Sequence, residues 1–144
     1  MKRKNKIGFF LFVLVVFGVS YFFVRYMEED PNTSMFEAEM HISAKVLLDV
    51  YKSDKDLANS TFIEKIIEVE GVVHKVTNVN NRYTVFLEGE EDQITYIMCD
   101  MQSDQNKKIG TIKSGETIKL KGIFKGFLKD AILLNCVLLN DDHQ

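Results

Sequence analysis

Cys99 and Cys136 are the only cysteines of this 144-residue chain, and His41, His74 and His143 are its only histidines. Two thiols can join as a disulfide in an oxidising compartment, or lie buried and free as small hydrophobes. They form no CxxC pair for thiol exchange or metal capture. Zinc needs three or four convergent ligands, and these histidines are widely separated. His74 stands beside Lys75 in an alternating stretch and reads as a surface residue. Glu88, Glu90, Glu91 and Asp92 lack the alternating ligand spacing of a calcium loop and read as a polar hairpin turn. Asp141, Asp142 and His143 read as a solvated tail. Asn32 and Asn59 head N-x-S/T triplets, which matter only in a host that glycosylates exported chains. There is no glycine-rich phosphate loop, no HExxH and no GxSxG. The 21 carboxylate side chains single out no acid–base pair. These residues point away from catalysis and call for no cofactor and no metal.

The elements that carry these residues begin with a hydrophobic segment. Residues 7–24, IGFFLFVLVVFGVSYFFV, contain no charge over 18 positions. As a helix such a run spans about 27 Å, near the roughly 30 Å hydrocarbon core of a bilayer. Lys2, Arg3, Lys4 and Lys6 precede it, whereas Glu28, Glu29 and Asp30 follow. That bias predicts residues 1–6 as a cytoplasmic tip, residues 7–25 as a single-pass transmembrane helix and the remainder as extracytoplasmic. A cleaved signal peptide is the rival, with Gly18 and Ser20 as its small residues. The apolar run continues through residues 21–24, past that point, which favours an uncleaved anchor. After Arg25, 13 basic residues face 21 acidic ones, a net charge near −8. Such a surface gives no general attraction to nucleic acid or anionic lipid.

Residues 26–40 hold the only proline, Pro31, and read as a tether before one domain at 41–144. Val46, Leu47, Val50 and Tyr51 recur at helical spacing, and Ser53 with Asp56 suits a second helix start, so two short helices or one bent helix are expected over 43–62. From Glu64 the period changes to two. Ile67, Val69, Gly71 and Val73 alternate with Glu68, Glu70 and Val72, a half-buried strand with a bulge or bend expected at Gly71. Further strands are expected at 83–87, 94–99, 117–127 and 131–139. Asn80 and Asn81 suit a turn with positive φ. Five strands, two of them with central glycines at Gly71 and Gly122, favour a small closed barrel over a flat sheet. The fold class is therefore mainly β, a five-stranded OB-type barrel preceded by short helices, with an SH3-like barrel as the competing architecture.

The stretch 41–140 resembles the bacterial tRNA_anti-like OB-fold proteins, which are membrane-attached or exported. The resemblance lies in the order and spacing of several segments: ISAKVLLDVYKSD, LANSTFIEK, the bent strand IIEVEGVVHKV, ITYIMCDM, IKSGETIKLKGIFKG and ILLNCVLLN. It covers nearly the whole domain. Many members look like lipoproteins, whereas this chain has no lipid-accepting cysteine and keeps its hydrophobic helix. The family name reflects likeness to anticodon-binding modules and implies the fold rather than binding to tRNA.

On such a barrel the third and fifth strands are neighbours, which brings Cys99 and Cys136 within reach of each other in the core, and export makes their disulfide the favoured expectation. If Val85 and Leu87 point inward, Phe86 points out; if Ile97 and Cys99 point inward, Tyr96 points out. The second and third strands of OB-folds form the usual ligand face, where rings stack on bases or sugars. Phe86 and Tyr96 are the candidate ligand-binding pair, set against the simpler expectation that both pack beneath the helices of 43–62. Lys119, Lys121, Lys125 and Lys129 form a basic stripe, expected as a solvated face. The first reading is a non-catalytic, membrane-anchored module for an envelope protein or small ligand, with nucleic acid not expected as a partner. The alternative is a single-stranded nucleic-acid or oligonucleotide binder using Phe86, Tyr96 and the lysines of the fourth strand.

Overall fold

The uncharged N-terminal run lies within a helix, α1, over Lys4–Tyr26. The computed structural model describes residues 4–26, 31–89 and 94–139. The Asp141-Asp142-His143 tail and residues 90–92 of the acidic turn lie outside them. The chain divides into two units, Met1–Pro31 and Asn32–Gln144. In the first, the described large apolar side chains of α1, from Phe10 to Phe23, are almost all exposed. Among the described residues no helix is long and apolar enough to cross a membrane; the side chains described in α1 are those of Gly8 and residues 10–23.

The second unit starts earlier than its periodicity suggests. Residues 31–39 are not a free tether. A 3-10 turn, Thr33–Met35, is capped by Asn32, whose side chain accepts from the Ser34 N–H, and the Thr33 side of this turn is fully buried. Strand β1, Met40–Ser43, follows and pairs in parallel with the start of β2, Ile66–Val79. Ser43 then caps helix α2, Ala44–Ser53, through an Oγ that accepts from the Val46 N–H at 3.2 Å. Helix α3, Lys55–Phe62, is capped by Asp54, at 2.9 Å from the Leu57 N–H. The Ser53 hydroxyl instead donates back to the Asp49 carbonyl, so the expected second helix start moves by one residue.

The barrel is β2 with β3 (Arg82–Glu88), β4 (Ile97–Met101), β5 (Thr117–Phe127) and β6 (Ala131–Leu139). The strands run β2-β3-β4-β6-β5, and a further β2–β5 pairing closes the ring. The β4–β6 pairing is parallel and the others around the ring are antiparallel. Closure removes unpaired edges, which a flat five-stranded sheet would leave at both sides. Between β4 and β5 lie a 3-10 turn, Ser103–Gln105, and a one-turn helix, α4, Asn106–Ile109. This is the expected OB-type barrel, with β1 added along the part of β2 that β3 does not reach.

Burial follows the alternation. Ile67, Val69 and Val73 of β2, Val85 and Leu87 of β3, and Ile97 and Cys99 of β4 are fully buried. Leu47, Leu48, Ala58 and Phe62 bring α2 and α3 onto the same core. Two glycines permit close approach. A Cβ at Gly71 would lie 2.7 Å from the Ala44 Cβ, so Gly71 makes room for α2 rather than forming the expected bulge. A Cβ at Gly122 would lie 2.5 Å from the Cys136 Sγ, and here the β5–β6 register does shift. The hairpin between β2 and β3 turns on Asn80 and Asn81 at φ 51 and 64, as their side chains lead one to expect.

Candidate binding face

The β2–β3 register shifts between Val73 and Lys75, leaving His74 as the extra residue of a β-bulge. Bulges re-aim side chains. Here the His74 Nδ1 lies 3.1 Å from a Glu88 carboxylate oxygen, and the His74 ring stacks on Tyr96 with centroids 4.4 Å apart. The Ser114 hydroxyl holds the bulge in place by donating to the His74 carbonyl at 2.8 Å. After the bulge Lys75 stands opposite Phe86, and its ammonium sits 4.6 Å from the centre of the Phe86 ring.

Phe86 and Met98 are cross-strand partners on β3 and β4, between the buried pairs Val85–Cys99 and Leu87–Ile97. The pleat therefore turns Phe86 outward, as its position in the sequence predicts. Tyr96 precedes β4 and is tied down by main-chain bonds. Its N–H donates to the Asp130 carboxylate at 3.0 Å, and its carbonyl accepts from the Ala131 N–H at 2.9 Å. Both rings are half-buried. Phe86 meets Lys75 and Tyr96 meets His74. The outcome is two aromatic rings, each matched to a basic side chain. Sequence reasoning singled out the rings but read His74 as a surface residue and Glu88 as part of a polar turn, because a bulge has no signature in hydrophobic periodicity.

The expected lysine stripe is not a continuous surface. Lys121 is 9% exposed, and its ammonium donates to the carbonyls of Phe36 at 2.7 Å and Ser34 at 3.4 Å. Lys125 pairs with Glu64 at 2.8 Å, and Lys119 lies 3.9 Å from Glu70. Successive lysines on β5 are thus drawn to different neighbours. On the outer side of β1 and β2, His41 pairs with Glu68 at 2.8 Å. Two open clefts of about 210 and 220 Å³ flank that pair. Among the described residues no group of three or more His, Cys, Asp or Glu could hold a metal ion.

The disulfide expected between Cys99 and Cys136 is not formed; both are free, buried thiols. The β4–β6 register sets Cys99 opposite Leu133 and Cys136 opposite Met101, so the two are not cross-strand partners. They nevertheless lie near each other in the core, close enough for Cys99 to act on the ionisation of Cys136. Burial pushes the Cys136 thiol well above its usual range, and the Cys99 hydrogen bond and the charges of Cys99 and Asp100 add to this. An unfolded thiol releases its proton near pH 8.5 or so. The folded state binds more protons above that point, so this contribution to stability is complete below about pH 8.5 and is lost as pH rises further. Cys136→Ala is expected to flatten the alkaline loss of stability seen in denaturant midpoints. Ellman's reagent is expected to find no reactive thiol in the native chain and both after unfolding without reductant. Finding none after unfolding would mean that a disulfide had formed.

The five-stranded ring with its parallel β4–β6 pairing is an OB-type barrel, and the model of the tRNA_anti-like family matches residues 1–138. The chain belongs to the tRNA_anti-like family. No curated protein matches it. A crystal structure from Klebsiella pneumoniae subsp. pneumoniae MGH 78578, of a protein provisionally named a nucleic acid-binding lipoprotein, resembles this tRNA_anti-like chain with a TM-score of 0.59. Identity is 13%, over 70% of this chain and 92% of that one. At that identity the likeness is one of fold. An aspartyl-tRNA synthetase from Entamoeba histolytica aligns with a TM-score of 0.44 and 13% identity, over 59% of this chain and 20% of that one. The S. pombe Stn1–Ten1 complex aligns with a TM-score of 0.42 and 11% identity, over 53% of this chain and 59% of that one. The tRNA_anti-like chain spans about a fifth of the synthetase. The expectation that nucleic acid is an unlikely partner finds no support in the Klebsiella neighbour.

Proposed function

We propose that this protein is a membrane-anchored, non-catalytic OB-fold module that binds its ligand outside the cytoplasm. The binding surface is the β3–β4 face, with Phe86 and Tyr96 as its rings. The observation that carries this reading is the pairing of each outward ring with a basic side chain, Lys75 over Phe86 and His74 on Tyr96. Rings held this way offer flat apolar faces beside positive charge, which suits a planar or sugar-like group carrying negative charge. The anchor rests on the uncharged run 7–24 and on the 23-residue length of α1, about 34 Å at 1.5 Å per residue. Location is tested by placing one accessible thiol on the barrel. Both native cysteines are buried, whereas Ser103 is exposed. Ser103→Cys is expected to react with a membrane-impermeant maleimide in intact cells. Reaction only after lysis would put the barrel in the cytoplasm and overturn the topology.

A second reading, a binder of single-stranded oligonucleotides, is favoured by the same stacked geometry and by the name given to the Klebsiella neighbour. It draws on Lys75 and His74 rather than on the lysines of β5, which are engaged elsewhere. The full chain in detergent separates the two readings when titrated at low salt with short oligonucleotides and, in parallel, with envelope saccharides. The net charge near −8 after Arg25 makes oligonucleotide binding local to this face and steeply weakened by salt.

A further inference from the structure

The turn at the start of the barrel unit fixes its backbone tightly yet turns its largest side chains away from the protein. Thr33 is fully buried, Asn32 caps the turn, and the buried ammonium of Lys121 donates to the carbonyls of Ser34 and Phe36. Met35 and Phe36 are nevertheless 81% and 53% exposed. Among the described residues of the barrel unit they are the only large exposed apolar side chains that adjoin in sequence. The others, such as Val46, Val79 and Leu128, stand singly on separate elements, as is ordinary for a protein surface. Met35 and Phe36 lie nine and ten residues beyond Tyr26, the last residue of α1.

We propose that Met35 and Phe36 form a lipid-contacting foot, which seats the barrel unit on the bilayer interface. This rests on the reading of α1 as a membrane anchor. The occupant of the patch is the interfacial layer of the lipid in which that anchor sits, and not a protein groove. A covalent anchor holds the foot at high effective concentration over the lipid, so even the weak partitioning of two side chains is populated. The contact is apolar in kind. The chain after Arg25 is acidic, Glu37 follows the foot directly, and the Lys121 charge is already taken up by two carbonyls. Anionic lipid therefore adds nothing, and salt does not release the contact.

The chain contains no tryptophan, so a single introduced one reports its own surroundings. Phe36→Trp and Met35→Trp are made in the full chain, each at an exposed position that tolerates the larger ring. The proteins are placed in phosphatidylcholine nanodiscs whose acyl chains are brominated either near the headgroup, to report on positions 35 and 36, or near the chain ends, to report on position 17. Val79→Trp, on the exposed tip of the β2–β3 hairpin, is the water-facing reference, and Phe17→Trp marks α1. The foot requires Trp at 35 or 36 to emit further to the blue than Trp at 79. It also requires at least about twofold stronger quenching by bromine, unchanged at high salt. Quenching at 17 with none at 35 and 36 overturns the foot and leaves the anchor standing. No quenching at 17 removes the anchor and the foot with it. A blue shift at 36 without bromine quenching means that protein covers the patch, which also overturns the proposal.

Discussion

Phe124→Ala is expected to be the most destabilising single change in the barrel, at about 3–5 kcal/mol for a buried Phe. Phe124 is fully buried on β5 and lies at the centre of an aromatic chain that joins the strand to both helices. Its ring meets Phe62 of α3 edge-on, with centroids 5.9 Å apart, and Phe127 at 5.1 Å. Phe127 in turn stacks on Tyr51 of α2 at 3.7 Å. Removing the ring opens a cavity and forfeits two edge-to-face contacts, each worth about 0.5–1.5 kcal/mol beyond burial. Domains of this size hold about 5–15 kcal/mol in all, so the variant stands near the edge of folding. Urea titration of the full chain in a mild detergent, followed by near-ultraviolet circular dichroism of its tyrosines, measures the loss. A cost below about 1 kcal/mol would mean that the helices are held by something other than this aromatic chain.

The parts of the fold that could be read from sequence are those governed by local patterns. The last two strands lie at 117–127 and 131–139 as the alternation predicts, and Ser43 caps α2. Asn80 and Asn81 turn the hairpin because their side chains tolerate positive φ. The errors arise where a long-range contact decides. β1 has only four residues and exists because β3 leaves part of β2 unpaired, a fact of register that its own residues do not encode. β4 begins at Ile97 and not at Ile94, which is 81% exposed, because the pairings with β3 and β6 both start there. Gly71 looks like a bulge from its neighbours alone, yet its missing side chain serves α2. The same holds at the binding face. Phe86 was readable because strand alternation turns it outward. His74 was not, because only the bulge brings it to Tyr96 and Glu88. The basic stripe on β5 failed as a reading because the 3-10 turn before β1, Glu64 between α3 and β2, and Glu70 within β2 each supply a partner for one lysine.

Phe86→Ala is the change expected to cost most at the binding face while leaving the barrel folded. The ring is half-buried and outward, so its loss opens no cavity in the core, whereas a ligand stacked on it loses a whole aromatic surface. For a stacked base that surface is worth about 1–3 kcal/mol, or roughly 5- to 150-fold in affinity. Lys75 acts by charge as well as by its position over the ring, so Lys75→Gln should weaken binding at low salt and reduce the salt slope by about one phosphate contact. Lys125→Gln is the matched control, because the Lys125 ammonium is held by Glu64 and has no part in this face. Fluorescence anisotropy with a labelled short oligonucleotide, read across a salt series, gives both quantities. Loss with Phe86→Ala, a shallower slope with Lys75→Gln and no change with Lys125→Gln would place a single strand across β3 and β4. Equal, small losses in all three would reduce the interaction to general charge, which a domain this acidic can supply only weakly. If no oligonucleotide binds at low salt, the nucleic-acid reading falls. Phe86→Ala then becomes the test for an envelope ligand, since the stacked rings would still be the surface that any flat or sugar-like group must meet.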